Sequence, residues 1–392
     1  MTTPRATLED WLDRPYELRS FQRVRELAPT AAIQRLDGEP RILPEDPQPL
    51  DDVAFVGADG ASVTVAEQLA RSNGEAICVL KDGRIAYERY LNGMQPHTPH
   101  LLMSVSKSFC GALLGVQIGE GLLSRDDLVV DIAADLAGTS LDGATVGQVI
   151  DMTAGTEFVE DYELYADPEA DVPLLEYERH AGYRRLGGRE PIGVLAHFRT
   201  YPRAFEHGAW FDYRSVLTNI AAHLIETVTG RRYHELLSEQ IWTPLGQEHA
   251  ADVMVDPLGF PIVDGGMSCS VRDLARFGLC YLEDGRVGDR QVLPAAWVED
   301  TRHGDEECMR CFRASPTLDR ESRETWSMYR NAFWVVQRDL VYSGLGIFGQ
   351  YCWVHRPSNV VIARFSTYPT AWSDDLSAET MRSFEAIAEA LA

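Results

Sequence analysis

The chain contains no uninterrupted run of about 18 apolar residues, so no segment of it reads as a helix that spans a membrane. Its first twenty residues carry Arg5, Glu9, Asp10, Asp13, Arg14, Glu17 and Arg19 without an apolar stretch. No secretory leader is therefore expected, and the expected location is the cytoplasm. Histidine is scarce and dispersed, ten residues with no H-E-x-x-H or H-x-H group. The lone C-x-x-C, Cys308-Met309-Arg310-Cys311, lacks the second pair that a zinc site needs, so no metal or other cofactor is expected and these thiols are assigned to a surface loop. Seven cysteines scattered through 392 residues fit reduced thiols better than a disulfide framework. Positive charge is also in deficit: 36 Lys and Arg against 60 Asp and Glu leave a net charge of −24. Nucleic acids and anionic membrane surfaces are thus disfavoured as partners, while neutral or cationic small molecules are not. The same acidity fits plain solubility equally well.

What is present is an ordinary globular composition, 45% hydrophobic and 24% charged, with no internal repeat or low-complexity tract. Within it, Ser104-Val105-Ser106-Lys107 opens an apolar stretch that runs from Leu101 to Gly115. Three residues apart on a helix, Ser104 and Lys107 share a face. An ammonium in such apolar company is desolvated and lies near the positive end of a helix, and both effects favour the neutral amine that a general base must be. Ser104 also brings a backbone N–H that can face a developing oxyanion. Taken alone, S-x-x-K more often marks an N-cap serine and a surface lysine. Two later segments strengthen the catalytic reading. Tyr213-Arg214-Ser215 stands directly before a helical pattern from Val216, and Tyr342-Ser343-Gly344-Leu345-Gly346 interrupts a strand pattern with small residues that let a ligand approach the backbone.

The order S-x-x-K, Y-x-S and a small-residue strand resembles the class C β-lactamase-like serine hydrolases, and within them the nylon-oligomer (6-aminohexanoate-dimer) hydrolase branch. The residues that carry the resemblance are His100 to Ser108, Val149 to Met152, Glu160-Asp161-Tyr162, Ala181 to Arg184, Asp264-Gly265-Gly266, Ser268-Cys269, Arg272 to Arg276 and Gly346 to Gln350. It implies Ser104 as nucleophile, Lys107 as its proton acceptor and Tyr213 as the group that passes a proton to the leaving atom. The oxyanion would be held by the N–H groups of Ser104 and Leu345. Substrate contacts are implied for Tyr162, which would close over the scissile bond, and for Glu178, which would hold an ammonium. Further contacts are expected of Ser215, Asp264, Ser343, Gly344 and Gln350, the last placed at a sheet edge. The acidic turn around Tyr162, with Glu157, Glu160, Asp161, Glu163, Asp167, Glu169 and Asp171, also reads simply as solvated loop. Penicillin-recognising members carry Lys-Thr-Gly where this chain has Tyr342-Ser343-Gly344, and Asn where it has Ser215, so antibiotic hydrolysis is not expected. Thr370 stands where an acid would favour a cationic amine.

The implied fold is α/β (α+β), an antiparallel sheet flanked by helices with an inserted mainly helical domain. Residues 1–50, rich in charge and proline, read as an extended arm on the surface. Residues 51–120 and 265–392 are assigned to the sheet domain and 121–264 to the insertion, with the site at their junction. A hairpin is expected around Asp82-Gly83, a helix from Ser104 to about Glu120, and a closing helix from Ser377 to Leu391. The expected activity is hydrolysis of a small amide or ester through an acyl-enzyme on Ser104. Two alternatives stay open: a transacylase in which an amine replaces water, and a non-catalytic member of the fold that binds acyl ligands. A homodimer is implied only through the resemblance.

Overall fold

The structure is a computed structural model and describes residues 5–162, 165 and 172–392. Glu163, Asp167, Glu169 and Asp171 of the acidic turn lie outside the described residues. Eleven strands build two sheets: β1 (Thr30–Ile33), β2 (Gly74–Lys81), β3 (Arg84–Tyr90), β4 (His100–Leu101), β5 (Ala251–Met254), β6 (Met267–Cys269), β7 (Met328–Arg330), β8 (Phe333–Gln337), β9 (Val341–Gly346), β10 (Gln350–His355) and β11 (Val360–Ser366). The larger sheet has the order β7-β8-β9-β10-β11-β2-β3, and every pairing in it is antiparallel. Its closure depends on β11 meeting β2, with Val360 opposite Lys81 and Arg364 opposite Ile77. Strands from both ends of the chain thus share one sheet, as expected. The β2–β3 hairpin turns at Asp82 (φ 50°) and Gly83 (φ 73°), the pair of left-handed residues that a two-residue loop needs.

Seven helices carry the argument: α1 (Val65–Arg71), α2 (Ser106–Gly119), α3 (Pro173–Ala181), α4 (Val216–Thr229), α5 (Val271–Leu282), α6 (Glu306–Arg313) and α7 (Asp374–Ala390). Strand alternation divides the sheet between α5 and α7. On β10, Tyr351 and Trp353 place their rings 5.4 and 5.7 Å from Phe384 of α7. The intervening Cys352 faces the other way, where a Cβ on Gly278 of α5 would fall 2.9 Å from its sulfur. Both faces of the sheet are covered, so β10 and β11 read as continuous apolar runs. Helix α2 is buried on nearly every side and approaches closely through glycine: a Cβ on Gly111 would come within 2.4 Å of the Asn331 carbonyl. No described helix is long and apolar enough to cross a membrane.

Two local expectations need correction. Residues up to 50 do not merely lie on the surface, because Trp11 and Phe21 are buried. The Trp11 ring stacks on Tyr183 at 5.7 Å and its indole N–H donates to the Tyr183 carbonyl at 2.7 Å, while Phe21 packs on His100 and Phe348. Burying such rings anchors an otherwise irregular segment. β1 then pairs with β5 in the smaller sheet, ordered β1-β5-β6-β4. Cys308 and Cys311 are likewise not in a surface loop. They lie on α6, capped by Asp305, with both thiols buried and donating to the carbonyls of Tyr329 and Gly208.

Candidate active site

Ser104 sits in a 3-10 turn, Met103–Val105, that feeds α2, so the α-helix starts two residues later than expected. Met103 adopts φ 47°, a left-handed conformation that costs a non-glycine residue about 1 kcal/mol or more and survives only where neighbours enforce it. Here Leu102 N–H is fixed to the Met267 carbonyl of β6 at 2.8 Å. Lys107 is 1% exposed, and its Nζ donates to Ser104 Oγ at 2.8 Å and to the Asp264 carbonyl at 2.5 Å. The expected i,i+3 pair is therefore formed, and the lysine is as buried as its apolar setting implied.

Tyr213 completes this cluster from three residues before α4. Its ring centroid lies 5.2 Å from Lys107 Nζ, stacked on Trp334 at 5.5 Å and edge-on to Tyr329 at 5.7 Å. Burial pushes the phenol pKa up, while the charge of Lys107 and hydrogen bonds to Ser104 and Lys107 pull the other way. The end of β9 closes the site from a third side. A Cβ on Gly346 would stand 3.0 Å from Ser104 N and 2.6 Å from the Leu102 carbonyl, so only glycine fits there without displacement. Leu345 lines the same cavity as Ser104 and Tyr213.

Ser104 stands between two cavities. The larger, about 370 Å³, is walled by Tyr213, Trp326, Trp334, Leu345 and Trp372. The smaller, about 40 Å³, is walled by Tyr165, Tyr177, Glu178, Tyr183, Ser215 and Asp264. Glu160, Tyr162 and Ile347 reach both. Tyr162 Oη donates to Glu160 at 2.6 Å, and Ser215 donates to the same carboxylate with its N–H and, at 3.0 Å, its hydroxyl. Burial raises the Glu160 pKa and the charge of Lys107 opposes it. Asp264 accepts from Tyr177 Oη at 2.7 Å through Oδ2, while its Oδ1 has no hydrogen-bond partner. Among the described residues no group of three or more His, Cys, Asp or Glu is arranged to hold a metal ion.

Several expected contacts are not made. Gln350 lies on an interior strand, not an edge, and its fully buried amide is used by the backbone of Ser366 and the carbonyl of Ile347. Ser343 is fully buried, donates to the Gly344 carbonyl at 2.8 Å and lines neither cavity beside Ser104. Gly344 admits α2 and not a ligand, since a Cβ there would fall 2.9 Å from Ser108 Oγ. Glu178 does line the small cavity, but Arg184 at 2.6 Å and Tyr165 at 2.6 Å already match its carboxylate, which removes it as an open ammonium site. Sequence reading missed Trp334, Tyr177 and the role of Glu160. Glu160 stood inside a matched segment, whereas nothing local marks Trp334 or Tyr177.

A family model described as beta-lactamase matches residues 63–384. The 6-aminohexanoate-dimer hydrolase of Paenarthrobacter ureafaciens is 34% identical over 93% of this chain and 88% of its own. A D-aminopeptidase from Gluconobacter oxydans is 26% identical over 58% of this chain and 43% of its own. Among solved structures, a Bacillus anthracis protein assigned as a 6-aminohexanoate-dimer hydrolase superposes with a TM-score of 0.88 at 24% identity, covering 99% of each chain. A D-stereospecific amidohydrolase from Streptomyces shares the fold at a TM-score of 0.58 and 18% identity, over 79% of this chain and 94% of that one.

Proposed function

Because the chain belongs to the beta-lactamase family and has a hydrolase relative along most of its length, we propose that it is a serine hydrolase that opens a small amide or carboxylic ester through an acyl-enzyme on Ser104. The observation that carries this reading is the 2.8 Å hydrogen bond from a buried Lys107 to Ser104 Oγ, with the Tyr213 phenol in the same cluster. In the proposed cycle Lys107 takes the Ser104 proton as Oγ attacks the carbonyl carbon. The oxyanion is held by the N–H groups of Ser104 and Leu345, and Tyr213 passes a proton to the departing nitrogen or oxygen. Water then attacks the ester on Ser104 and releases the acid. The amide reading draws support from both named relatives, a 6-aminohexanoate-dimer hydrolase and a D-aminopeptidase.

Intact-mass measurement after exposure to a panel of activated esters tests the class. A single adduct that maps to Ser104 and is lost in Ser104→Ala is the expected result; turnover that persists in Ser104→Ala would end the reading. Repeating the panel with a competing amine separates hydrolysis from acyl transfer by the product formed.

A further inference from the structure

The two cavities give the acyl-enzyme a direction. Tyr213, the proposed donor to the leaving group, lines the large cavity and is absent from the small one. On the proposed reading the leaving group therefore occupies the tryptophan-walled cleft, and the acyl group that stays on Ser104 lies in the small chamber across the nucleophile.

Chain length and chemistry of that acyl group follow from the chamber. A volume of about 40 Å³ holds only two or three groups the size of a water molecule. Asp264, 4% exposed, is one of its walls. Two hydrogen bonds, of 2.8 and 2.5 Å through Lys107 Nζ, separate Ser104 Oγ from the Asp264 carbonyl, so the Asp264 residue lies close behind the nucleophile. Its carboxylate receives a hydrogen bond from Tyr177 on Oδ2 and none on Oδ1; burial raises its pKa, and the charge of Lys107 opposes that rise. A buried carboxylate in that condition is costly, and a ligand that brings a cationic donor to it regains much of the cost. The other acid of the chamber, Glu178, is already matched by Arg184.

From this arrangement we infer that the chamber selects a short aminoacyl group, its ammonium one or two carbons from the carbonyl and donating to Asp264 Oδ1. A 6-aminohexanoyl group carries its ammonium too far from the carbonyl to reach Asp264 inside this volume. The preferred substrates are thus amides or esters of α- or β-amino acids with a bulky apolar leaving group. This rests on the reading of Ser104 as the acylated residue.

A matched set of p-nitroanilides tests it: glycyl, β-alanyl, 6-aminohexanoyl, and propionyl as the uncharged isostere of glycyl. The expected result is a kcat/KM for glycyl or β-alanyl at least tenfold above both propionyl and 6-aminohexanoyl. Asp264→Asn should bring the aminoacyl-to-propionyl ratio down to near one, whatever it does to the overall rate. Equal or better use of propionyl or 6-aminohexanoyl by the wild-type protein overturns the inference, as does an unchanged ratio in folded Asp264→Asn. Calorimetric binding of glycinamide against propionamide to the wild-type protein makes the same comparison without turnover. No preference for glycinamide overturns the chamber assignment even if hydrolysis is found. A preference for glycinamide with no Ser104-dependent turnover supports the chamber and overturns the hydrolase reading instead.

Discussion

The two cavities that meet at Ser104 differ in how their walls are made. The small chamber is built from side chains already committed to one another, tyrosine hydroxyls on carboxylates and an arginine on Glu178. The large cleft is built mostly from ring faces, with Trp334 stacked on Tyr213 and tilted against Trp326 at 5.3 Å. A wall of fixed polar groups discriminates by charge and length, because any mismatch leaves a buried donor or acceptor unpaired. A wall of aromatic surface accepts many apolar shapes at similar free energy. Specificity is therefore expected to be narrow on the acyl side of the nucleophile and broad on the leaving-group side.

The largest effects should strike both sides at once. Ser104→Ala is expected to abolish acylation with every substrate, and Lys107→Ala to slow acylation by roughly a hundredfold or more while leaving the protein folded, read by burst kinetics and circular dichroism. Next, penicillin and cephalosporin turnover should be negligible beside short-chain ester hydrolysis. Tyr342 is fully buried, donating to the Tyr281 carbonyl at 3.0 Å, so it offers no cation to a β-lactam carboxylate. Efficient β-lactam turnover would show that the broad side of the site recognises anions after all.

Gly346→Ala should lower kcat for ester and amide substrates alike by about a hundredfold, the scale of losing one oxyanion donor. The new methyl group would crowd Ser104 N and the Leu102 carbonyl. A variant with near-normal kcat would mean that β9 does not define the oxyanion position. Tyr162 reaches both cavities with its hydroxyl donating to Glu160, and Tyr162→Phe is expected to cost about tenfold on an amide and less on its matched ester, since an amide nitrogen depends more on protonation as it leaves than an ester oxygen does. Equal losses would reduce Tyr162 to packing. The smallest effect is a shift in pH dependence. The charge of Glu160 raises the Tyr213 pKa, so Glu160→Gln should lower it and move the alkaline limb of kcat/KM towards lower pH, by a fraction of a unit to about one unit. An unmoved limb would show that the protonation of Tyr213 does not control the rate.

The parts of this site that depend on local spacing were readable before any coordinates. Ser104 and Lys107 are three residues apart, and any helix brings them together. The chain also has only two lysines, Lys81 and Lys107, among its 36 basic residues. Arginine serves wherever only a charge is needed, whereas a base that must exist without its proton cannot be arginine. Tyr213 became readable only by resemblance, and Leu345 with it. Ser343, Gly344 and Gln350 were misread because β10 is covered by α5 on one face and α7 on the other, and β9 lies against α2 on one face while only its Leu345 opens to the large cavity. Without alternating polarity, nothing in the residue pattern tells which side chains look towards the nucleophile.

By itself, then, the sequence determined the helix-borne pair, the hairpin at Asp82-Gly83, the sharing of one sheet by both ends of the chain and the absence of a membrane-spanning helix. These rest on backbone periods and turn conformations that act over a few residues, or on motifs that a family holds in order. Tertiary structure alone decided that Trp11 and Phe21 anchor the N-terminal segment, that Arg184 takes Glu178 out of reach, and that Asp264 offers its carbonyl to Lys107 while one carboxylate oxygen stays unmatched. Each of those outcomes is a competition between groups far apart in the chain for the same partner. Which group wins depends on distance and burial, and neither exists until the sheets and helices have packed.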